Sequence, residues 1–257
     1  MVKRLNVHLT NNCDFNCDVC FERDVNESIK YLDKDKLLDF ILTNNIFHVG
    51  FVGGECTLHP ELSNILTVLK GNNIHTCVVT NGEHLDTLTI LPNSLSIGID
   101  NYNQEKVDKF LSTYPNCDIE ITITPTDVSV IDSLIEKYYN YRLNISMLAF
   151  WNKNQNVKQY INQDYINKLK ELRNRTDKLI RFWGDIDNIN DFYNEENNKF
   201  FCIAPLNIYS GGDIQFCDLR RYSNNYNLYN NIKYEDIQKH TCNFEKCKDC
   251  NLKYIIS

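Results

Sequence analysis

The sequence predicts an α/β fold built on a parallel β-sheet. Six strand-like segments alternate with helix-like segments between residues 4 and 149, and a helix between successive strands favours a parallel crossover. Several strands also alternate aliphatic with polar residues, so each would present one apolar and one polar face. The strands are expected at 4–10, 46–52, 74–80, 94–100, 118–124 and 142–149.

The helices follow from apolar residues that recur at helical spacing between these strands. After residue 150 the alternation weakens. One more amphipathic helix is expected at 163–175, and the stretch 185–198, rich in Asn, Asp and Glu, is typical of a connector. The helices between the strands are expected at 33–44, 59–70, 85–91, 103–112 and 128–140, of which 85–91 is the least regular.

The polar faces of the strands would together line a hydrated or ligand-filled surface. In the run 119–124, for example, isoleucine alternates with Glu, Thr and Thr, so helices would cover one face and leave the other polar. An antiparallel sheet with one solvated face is the alternative, which the intervening helices disfavour. The residues expected on the polar face include His8, Glu120, Thr122, Thr124 and Asn144.

Composition restricts the function classes. The chain has 42% hydrophobic residues, enough for a large core, and a formal net charge of −7 without a dense basic tract. Nucleic-acid binding is therefore disfavoured, and a small-molecule or short peptide substrate is expected. Because we find neither a signal-peptide core nor an apolar run of membrane-spanning length, we expect a cytoplasmic protein that does not bind membranes. Eleven cysteines in that reducing compartment favour metal coordination over disulfides.

Three cysteines stand close together directly after the first strand. Cys13, Cys17 and Cys20 are separated by three and then two residues. A 4Fe-4S cluster has four irons, so a loop with three thiolates leaves one iron free to bind a group that is not protein. Zinc is the competing interpretation, although zinc sites more often combine two Cys-x2-Cys pairs, and the pair here has no second pair nearby.

Two further motifs follow the next two strands. A Gly-Gly-Glu motif stands at 53–55, after the second strand, and a Thr-Asn-Gly motif at 80–82 closes the third. Glycines allow a backbone to approach a ligand closely, and a carboxylate beside them can pair with an ammonium group. Together with the cysteine loop, this order of motifs resembles the radical S-adenosylmethionine (radical SAM) enzymes over at least residues 4–150.

The resemblance implies a partial (β/α)6 barrel, a 4Fe-4S cluster on the cysteine loop and S-adenosylmethionine (SAM) at the open iron. In that family the Gly-Gly-Glu segment receives the methionyl amino group of SAM through its backbone and its carboxylate. Reductive cleavage of SAM would give a 5′-deoxyadenosyl radical, which abstracts a hydrogen atom from the substrate. The SAM-binding residues that the resemblance implies are Gly53, Gly54, Glu55, Asn81, Ser96 and Asp100.

The chain departs from the family pattern at three positions. The residue before the third cysteine, often aromatic in the family, is Val19. Cys56 stands where proline is usual, in a turn that would face the cofactor, and its role is open. The family's Ser-x-Asp sequence at the end of the fourth strand begins with Gly98 here, which leaves the ribose contact to Ser96 or Asp100.

A second group of cysteines lies beyond residue 200. Cys202 and Cys217 flank a hairpin-like run at 206–216, with nine residues, a glycine and four residues between them. This spacing resembles the start of the SPASM and twitch extensions of radical SAM enzymes, which hold auxiliary iron–sulfur clusters. The ligands of one auxiliary 4Fe-4S cluster would be Cys202, Cys217, Cys247 and Cys250. Cys242 would be a substitute ligand, a hydrogen-atom donor or inert, and zinc is the competing occupant.

Two domains follow from these motifs: a radical SAM partial barrel at 1–184, and a connector with a small twitch-type extension of hairpin and helix at 185–257. The resemblance implies an oxidoreductase or dehydrogenase, an epimerase or a peptide maturase, reduced by a partner such as flavodoxin or ferredoxin. An auxiliary cluster would favour net oxidation or peptide cross-linking, and a thiol donor would favour epimerisation. The alternative of another class is a non-enzymatic iron–sulfur or zinc protein. A glycyl-radical activase is disfavoured because the second cysteine group lies beyond the barrel.

Overall fold

A nine-stranded sheet dominates the computed structural model of the chain. The structure describes residues 4–17, 20, 28–99, 103–114, 119–123, 127–148, 159–183, 186, 200–202, 206–215, 227–230, 233 and 253–255. The strands in chain order are β1 (Arg4–His8), β2 (His48–Val52), β3 (His75–Thr80), β4 (Ser94–Ile99), β5 (Ile119–Ile123), β6 (Arg142–Ser146), β7 (Ile180–Trp183), β8 (Phe200–Cys202), β9 (Leu206–Ile208), β10 (Ile214–Gln215) and β11 (Lys253–Ile255).

Eight of the nine strands in the large sheet are parallel. Across the described residues the order is β10-β9-β1-β2-β3-β4-β5-β6-β7, and β10 runs antiparallel beside β9. The outer strands β10 and β7 are not paired with each other there, so the sheet is open. β8 and β11 form a separate antiparallel pair. The predicted parallel α/β sheet is confirmed, whereas its curvature into a partial barrel stays a prediction.

The described helices lie where the apolar periodicity predicted them, with one exception. The segment expected at 85–91 forms a single 3-10 turn at Leu85–Thr87, because the run is short, contains threonines and ends before a proline. None of the helices in the described ranges is long and apolar enough to cross a membrane. The α-helices are α1 (Lys34–Thr43), α2 (Leu62–Gly71), α3 (Gln104–Thr113), α4 (Ile131–Lys137) and α5 (Gln163–Arg173).

The core lies on the aliphatic face of the sheet. Leu5, Val7, Val49, Ile97 and Ile121 have no exposed surface, and they belong to one continuous cluster with the apolar sides of the helices. Each fully buried aliphatic side chain of this kind stabilises the fold by about 1.5–3 kcal/mol. Because successive strand residues point to opposite faces, this packing leaves the polar residues of the same strands on the other face.

Two parts of the sheet were not predicted as such. β7 follows α5 and pairs in parallel with β6, but its four residues include Arg181, and so short a run gives no clear strand signal. The predicted hairpin at 206–216 is present as β9 and β10, and β9 pairs in parallel with β1, so that Val7 lies opposite Ile208. The domain boundary between residues 184 and 185 stays a prediction.

Candidate functional site

The three sequence motifs meet at one edge of the sheet. β1, β2 and β3 are neighbours and parallel, so their carboxyl ends lie side by side. The cysteine loop at 13–20 follows β1, the Gly-Gly-Glu motif at 53–55 follows β2, and the Thr-Asn-Gly motif at 80–82 follows β3. Open parallel sheets bind their ligands outside the carboxyl ends of the strands. The candidate site is therefore at this edge.

The Gly-Gly-Glu motif packs directly on the chain that leads into the cysteine loop. Gly54 N–H donates to the carbonyl of Thr10 at 2.8 Å, and Glu55 N–H donates to the carbonyl of Asn12 at 2.6 Å. A Cβ atom on Gly54 would lie 2.2 Å from the Asn12 carbonyl oxygen, and Gly53 has a φ of +117°. The first glycine is required by its backbone conformation and the second by this close approach.

The carboxylate of Glu55 is buried and accepts four hydrogen bonds from protein groups. Its side chain is 1% exposed. Oε1 accepts from the Thr57 N–H at 3.0 Å, the Thr57 hydroxyl at 2.6 Å and the Thr80 hydroxyl at 2.8 Å. Oε2 accepts from the Asn81 N–H at 2.7 Å. Glu55 thus joins the end of β2 to the end of β3, which the sequence did not predict. Its contact with a methionyl amino group stays a prediction.

The side chain and the carbonyl group of Asn81 are hydrogen-bonded to Asp14, Glu83 and Asn103. Its Nδ2 donates to Asp14 at 2.9 Å, its Oδ1 accepts from the Glu83 N–H at 2.9 Å, and its carbonyl accepts from Asn103 Nδ2 at 2.5 Å. Asn103 also donates to the Gly98 carbonyl at 2.6 Å, and so it joins the turn after β3 to β4. Its position before α3 is typical of a capping residue, but its side chain does not cap that helix.

The structure describes all three cysteines of the loop. Cys13 and Cys20 are partly buried and Cys17 is exposed. Cys20 N–H donates to the Cys17 carbonyl at 3.2 Å, so these two share a turn. The chain then returns beside the start of the loop, where the Thr10 hydroxyl donates to the Lys30 carbonyl at 2.8 Å. The residues that lie outside the described part of this loop are 18, 19 and 21–27.

The thiol of Cys13 lies in surroundings that disfavour its ionised form. Burial raises its pKa to about 11, the N–H of Phe15 offsets part of this, and the negative charges of Glu55, Cys20 and Asp14 raise the pKa further. A metal ligand must be the thiolate, and metal binding displaces the proton. Cys13 would therefore ionise in exchange for a bound cation such as cluster iron.

These residues fit a 4Fe-4S cluster that keeps one iron open. The loop offers three thiols, its middle cysteine is exposed, and each thiolate of a cubane binds a different iron. In the described ranges, no three Cys, His, Asp or Glu side chains stand at the spacing of ligands to one metal ion. The assignment of Cys13, Cys17 and Cys20 as ligands stays a prediction.

Cys56 is a buried structural thiol. Its side chain has no exposed surface, and its Sγ donates to the carbonyl of Val79 on β3 at 3.1 Å. Burial raises its pKa well above the usual value, and the charge of Glu55 adds to this. Cys56 therefore packs the end of β2 against β3. Cys77 is partly exposed, and Cys117 lies outside the described residues.

One group of polar side chains lies on the polar face at β1 and β9. The rings of His8 and Tyr209 stack with centroids 4.3 Å apart and planes at 26°. His8 Nε2 is 3.4 Å from Asn207 Oδ1, and the side chains of His8 and Asn207 are at most 2% exposed. His8, which was predicted for the polar face, therefore helps to hold the hairpin against the sheet.

A second polar group lies across β4, β5 and β6. The hydroxyls of Ser96 and Thr122 are 3.0 Å apart, and Asn144 Nδ2 donates to Thr122 at 3.5 Å. Glu120 lies 3.6 Å from Arg181 of β7. β2 and β3 separate this group from His8, so the predicted polar residues form two groups rather than one. Two predicted residues, Thr124 and Asp100, lie outside the described residues.

Known proteins resemble the chain in sequence. The family model of the Radical SAM superfamily matches residues 7–123. An S-adenosylmethionine-dependent nucleotide dehydratase of Flammeovirga pacifica is 25% identical over 234 residues, which cover 80% of this chain and 77% of that protein. The match to the family model includes the cysteine loop and both of the other motifs.

Solved structures resemble the chain in fold. SuiB of Streptococcus suis, bound to S-adenosylmethionine, superposes with a TM-score of 0.63 at 15% identity, covering 97% of this chain and 66% of the SuiB chain. The protein anSMEcpe, solved with AdoMet and the Kp18Cys peptide, gives a TM-score of 0.59 at 14% identity, covering 96% of this chain and 81% of its own. Likeness at these identities shows the fold alone. The parallel sheet of eight strands is thus like those of SuiB and anSMEcpe, and residues 7–123 are similar to the Radical SAM superfamily.

Proposed function

We propose that this chain is a radical SAM enzyme whose cluster is held by Cys13, Cys17 and Cys20. The observation that carries this proposal is the contact of Gly54 with Asn12, at a distance that leaves no room for a side chain. That contact sets the cysteine loop against the segment that binds the methionyl amino group in the family. An iron–sulfur electron carrier has no need of such a contact.

The backbone of the Gly-Gly-Glu motif is the better candidate for the methionyl amino group. Glu55 already accepts four hydrogen bonds, and the side chain of Asn81 already bonds to Asp14 and Glu83. We expect both residues to shape the SAM site rather than to bind SAM through their side chains. The ribose contact is left to Ser96, which lies on β4 next to Thr122 of β5, or to Asp100, which is outside the described residues.

When bound, SAM and the cluster supply a 5′-deoxyadenosyl radical that abstracts a hydrogen atom from the substrate. The chain's own residues orient the substrate and exclude water. Ser96, Thr122 and Asn144 form a buried network of hydroxyl and amide groups, in which Thr122 is the most exposed at 7%. Such groups can donate to and accept from a polar substrate that reaches them. Glu120 on β5 and Arg181 on β7 offer a charged pair beside this group.

A nucleotide is the first substrate to test, and its dehydration the first reaction. The relative with this activity in its name aligns with most of the chain, whereas the peptide-bound structure is alike in fold alone. Hydroxyl and amide groups can bind the hydroxyls of a sugar and the edge of a base. We therefore favour a nucleotide among the small-molecule substrates that the sequence analysis leaves open.

The second candidate is oxidation, epimerisation or cross-linking of a peptide with an auxiliary 4Fe-4S cluster. It is supported by the twitch-like cysteine spacing and by the pairing of β8 with β11, in which Cys202 lies opposite Lys253. Cys250 stands three residues before Lys253 in the sequence. This pairing therefore brings the chain at Cys202 close to the chain that follows Cys250. The cysteines of this second group that lie outside the described residues are Cys217, Cys242, Cys247 and Cys250, and the side chain of Cys202 is not described either.

Each cleavage of SAM consumes one electron, so a reducing partner such as flavodoxin or ferredoxin is part of this proposal. Iron bound by exposed or partly buried thiolates also requires a reducing compartment such as the cytoplasm. No contact with nucleic acid or membrane is proposed, because the chain carries a net charge of −7 and lacks a dense basic tract.

Anaerobic reconstitution tests the proposal. We expect roughly four irons per chain for the cysteine loop, or roughly eight if an auxiliary cluster is also present, and 5′-deoxyadenosine from SAM. Cys17→Ala should abolish SAM cleavage, and Cys77→Ala, at a partly exposed cysteine of β3, is the control that should keep it. Nucleotides that stimulate cleavage and yield a product lighter by one water support the first candidate, and a cross-linked or oxidised peptide supports the second. Bound zinc without SAM cleavage would overturn both.

A further inference from the structure

We infer that Asp14 is a positioning residue that presents Cys13 to the cluster through hydrogen bonds to Asn81 and His84. This arrangement of three residues is called the Asp14 clasp below. The inference rests on the proposed function, because it concerns the loop that would hold the cluster. It adds Asp14 and His84, which no sequence motif indicated, to the residues of that site.

The clasp joins two loops that are distant in sequence. Asp14 Oδ1 accepts from Asn81 Nδ2 at 2.9 Å, and Asp14 Oδ2 lies 2.9 Å from His84 Nε2. Asn81 and His84 stand 67 and 70 positions after Asp14. The carboxylate therefore connects the cysteine loop after β1 to the turn after β3.

The clasp would add little to global stability. The side chains of Asp14 and His84 are 31% and 32% exposed, and ion pairs near the surface contribute about 0–1 kcal/mol. A contribution to global stability therefore does not account for this arrangement of the three residues. Its larger effect is on the position of the residue next to Asp14, which is Cys13.

Cys13 is fixed on both sides by one closed ring of hydrogen bonds. On one side the Asn12 carbonyl accepts from Glu55 N–H at 2.6 Å. Glu55 in turn accepts from Asn81 N–H at 2.7 Å, and Asn81 Nδ2 donates to Asp14 on the other side. Cys13 is the one residue between Asn12 and Asp14, so its backbone cannot move far without breaking a bond of the ring.

One backbone hydrogen bond links the other two cysteines of the loop to each other. Cys17 and Cys20 are joined to each other by a backbone hydrogen bond within their own turn. The ring around Cys13 reaches the ends of β2 and β3, which are paired strands of the sheet. Cys13 would therefore bind the cluster from a backbone position that is already fixed.

The charge of Asp14 also makes its two partners necessary. A carboxylate next to a cluster thiolate places like charges close together, which is unfavourable unless the carboxylate is well hydrogen-bonded. Asn81 and His84 each engage one of its oxygens. Outer-shell partners of metal ligands typically affect metal affinity by about 10–100-fold, and we expect the lower end because Asp14 acts through the backbone.

The experiment compares Asp14→Ala, Asp14→Asn and a matched control in anaerobically reconstituted protein. The control is Asp35→Ala, since Asp35 is 87% exposed and pairs with Lys34 at the start of α1, away from the motifs. The readouts are the rate of iron release to a chelator and the change in the EPR signal of the reduced cluster when SAM is added. Thermal unfolding of each variant separates loop effects from global stability.

We expect Asp14→Ala to release iron about 10-fold faster than the wild-type protein and to respond less to SAM, with unfolding almost unchanged. Asp14→Asn should be intermediate, because its amide oxygen can still accept from Asn81. Asp35→Ala should behave like the wild type. His84→Ala leaves Asp14 in place and removes one partner, so it should change both readouts in the same direction by less, and it keeps the test open if Asp14→Ala folds poorly.

The same measurements distinguish a failure of the inference about the clasp from a failure of the proposed function. If the wild-type protein loads a SAM-responsive cluster and both Asp14→Ala and His84→Ala match it in iron release and in EPR response, the inference about the clasp is wrong. If the wild-type protein holds no cluster, or its cluster does not respond to SAM, the proposed function fails first.

Discussion

The two edges of the sheet differ in how neighbouring strands are held together. At the carboxyl edge, the segments after β1 and β2 are joined by backbone N–H to carbonyl bonds of 2.6 and 2.8 Å. At the amino edge, β1, β2 and β3 begin with Arg4, His48 and His75, which are adjacent in register. The two histidine rings stack with centroids 4.9 Å apart and planes at 9°, and His75 and Arg4 are exposed.

This difference indicates where the chain tolerates change. A backbone contact without room for a Cβ atom cannot adjust to a substitution, whereas surface side chains can move and are partly solvated. The carboxyl edge of a parallel sheet is also where ligands bind. Substitutions should therefore have large effects at the carboxyl edge and small effects at the amino edge.

Gly54→Ala should have the largest effect. Its Cβ atom would lie 2.2 Å from the Asn12 carbonyl oxygen and 2.7 Å from the Asn12 carbonyl carbon, so the cysteine loop must move away. Overpacking of this kind costs about 1–3 kcal/mol, and against backbone atoms we expect the upper part of that range. Urea unfolding measures the loss, and iron content after reconstitution measures the displacement of the loop.

Gly71→Ala is the matched control for that substitution. No atom lies within 4 Å of a Cβ built at this position at the end of α2, so alanine should be neutral or stabilise the helix by less than about 1 kcal/mol. If Gly54→Ala unfolds like Gly71→Ala and loads iron normally, the contact between the motifs is not the rigid one described.

Glu55→Gln should have the next largest effect. This loss of stability should be measurable in protein that has no bound ligand. An amide in place of the carboxylate would face the donors of Thr57, Thr80 or Asn81 with its own NH2 group. A buried donor left without an acceptor costs about 1–3 kcal/mol, so the unfolding free energy of the cluster-free protein should fall by that amount. Glu136→Gln is the control on an exposed carboxylate, on α4. Unchanged stability would indicate that Glu55 serves a ligand and not the fold.

The sheet and the meeting of the motifs could be predicted because both depend on short-range patterns. Alternating residues at 119–123 and helical spacing at 34–43 define faces locally, and parallel strands then bring the segments that follow them to one edge. The sequence indicates that 13–20, 53–55 and 80–82 are close to one another for this reason.

The partners of individual side chains could not be predicted, because they depend on the relative positions of loops. The carboxylate of Glu55 could equally bind a ligand or accept from the protein, and two of its donors are 25 and 26 positions away. The pairing of Asp14 with His84 spans 70 positions and has no local signal. β7 was missed for a local reason, since four residues including an arginine are too few for a pattern.

Two cysteines near the carboxyl edge should differ in reactivity. Cys17 is exposed, whereas Cys56 is buried, bonded to Val79, and has a pKa raised well above the usual value. In cluster-free protein, iodoacetamide should label Cys17 at least about 100-fold faster, since labelling of Cys56 requires a local opening of about 3 kcal/mol or more. Mass spectrometry of peptides gives both rates. Equal rates would show that the contact of β2 with β3 opens readily.

The smallest effect is expected at the amino edge, from protonation of His48. Burial lowers its pKa below 6.5, and the charges of His75 and Arg4 act in the same direction. The folded chain then binds a proton at His48 less well than the unfolded chain does. Above the unfolded pKa of 6.5, protonation of His48 has no effect on stability. As the pH drops from 6.5 towards the lower pKa of the folded state, the free energy of unfolding falls. His48→Gln should remove that part of the pH dependence, a change within about 0.5 kcal/mol as for other partly exposed sites. Urea unfolding of both proteins between pH 8 and pH 5 measures the difference, and high salt should reduce it because it screens Arg4 and His75. A difference that grows as the pH rises would contradict the assignment, and one as large as that of Gly54→Ala would remove the contrast between the two edges.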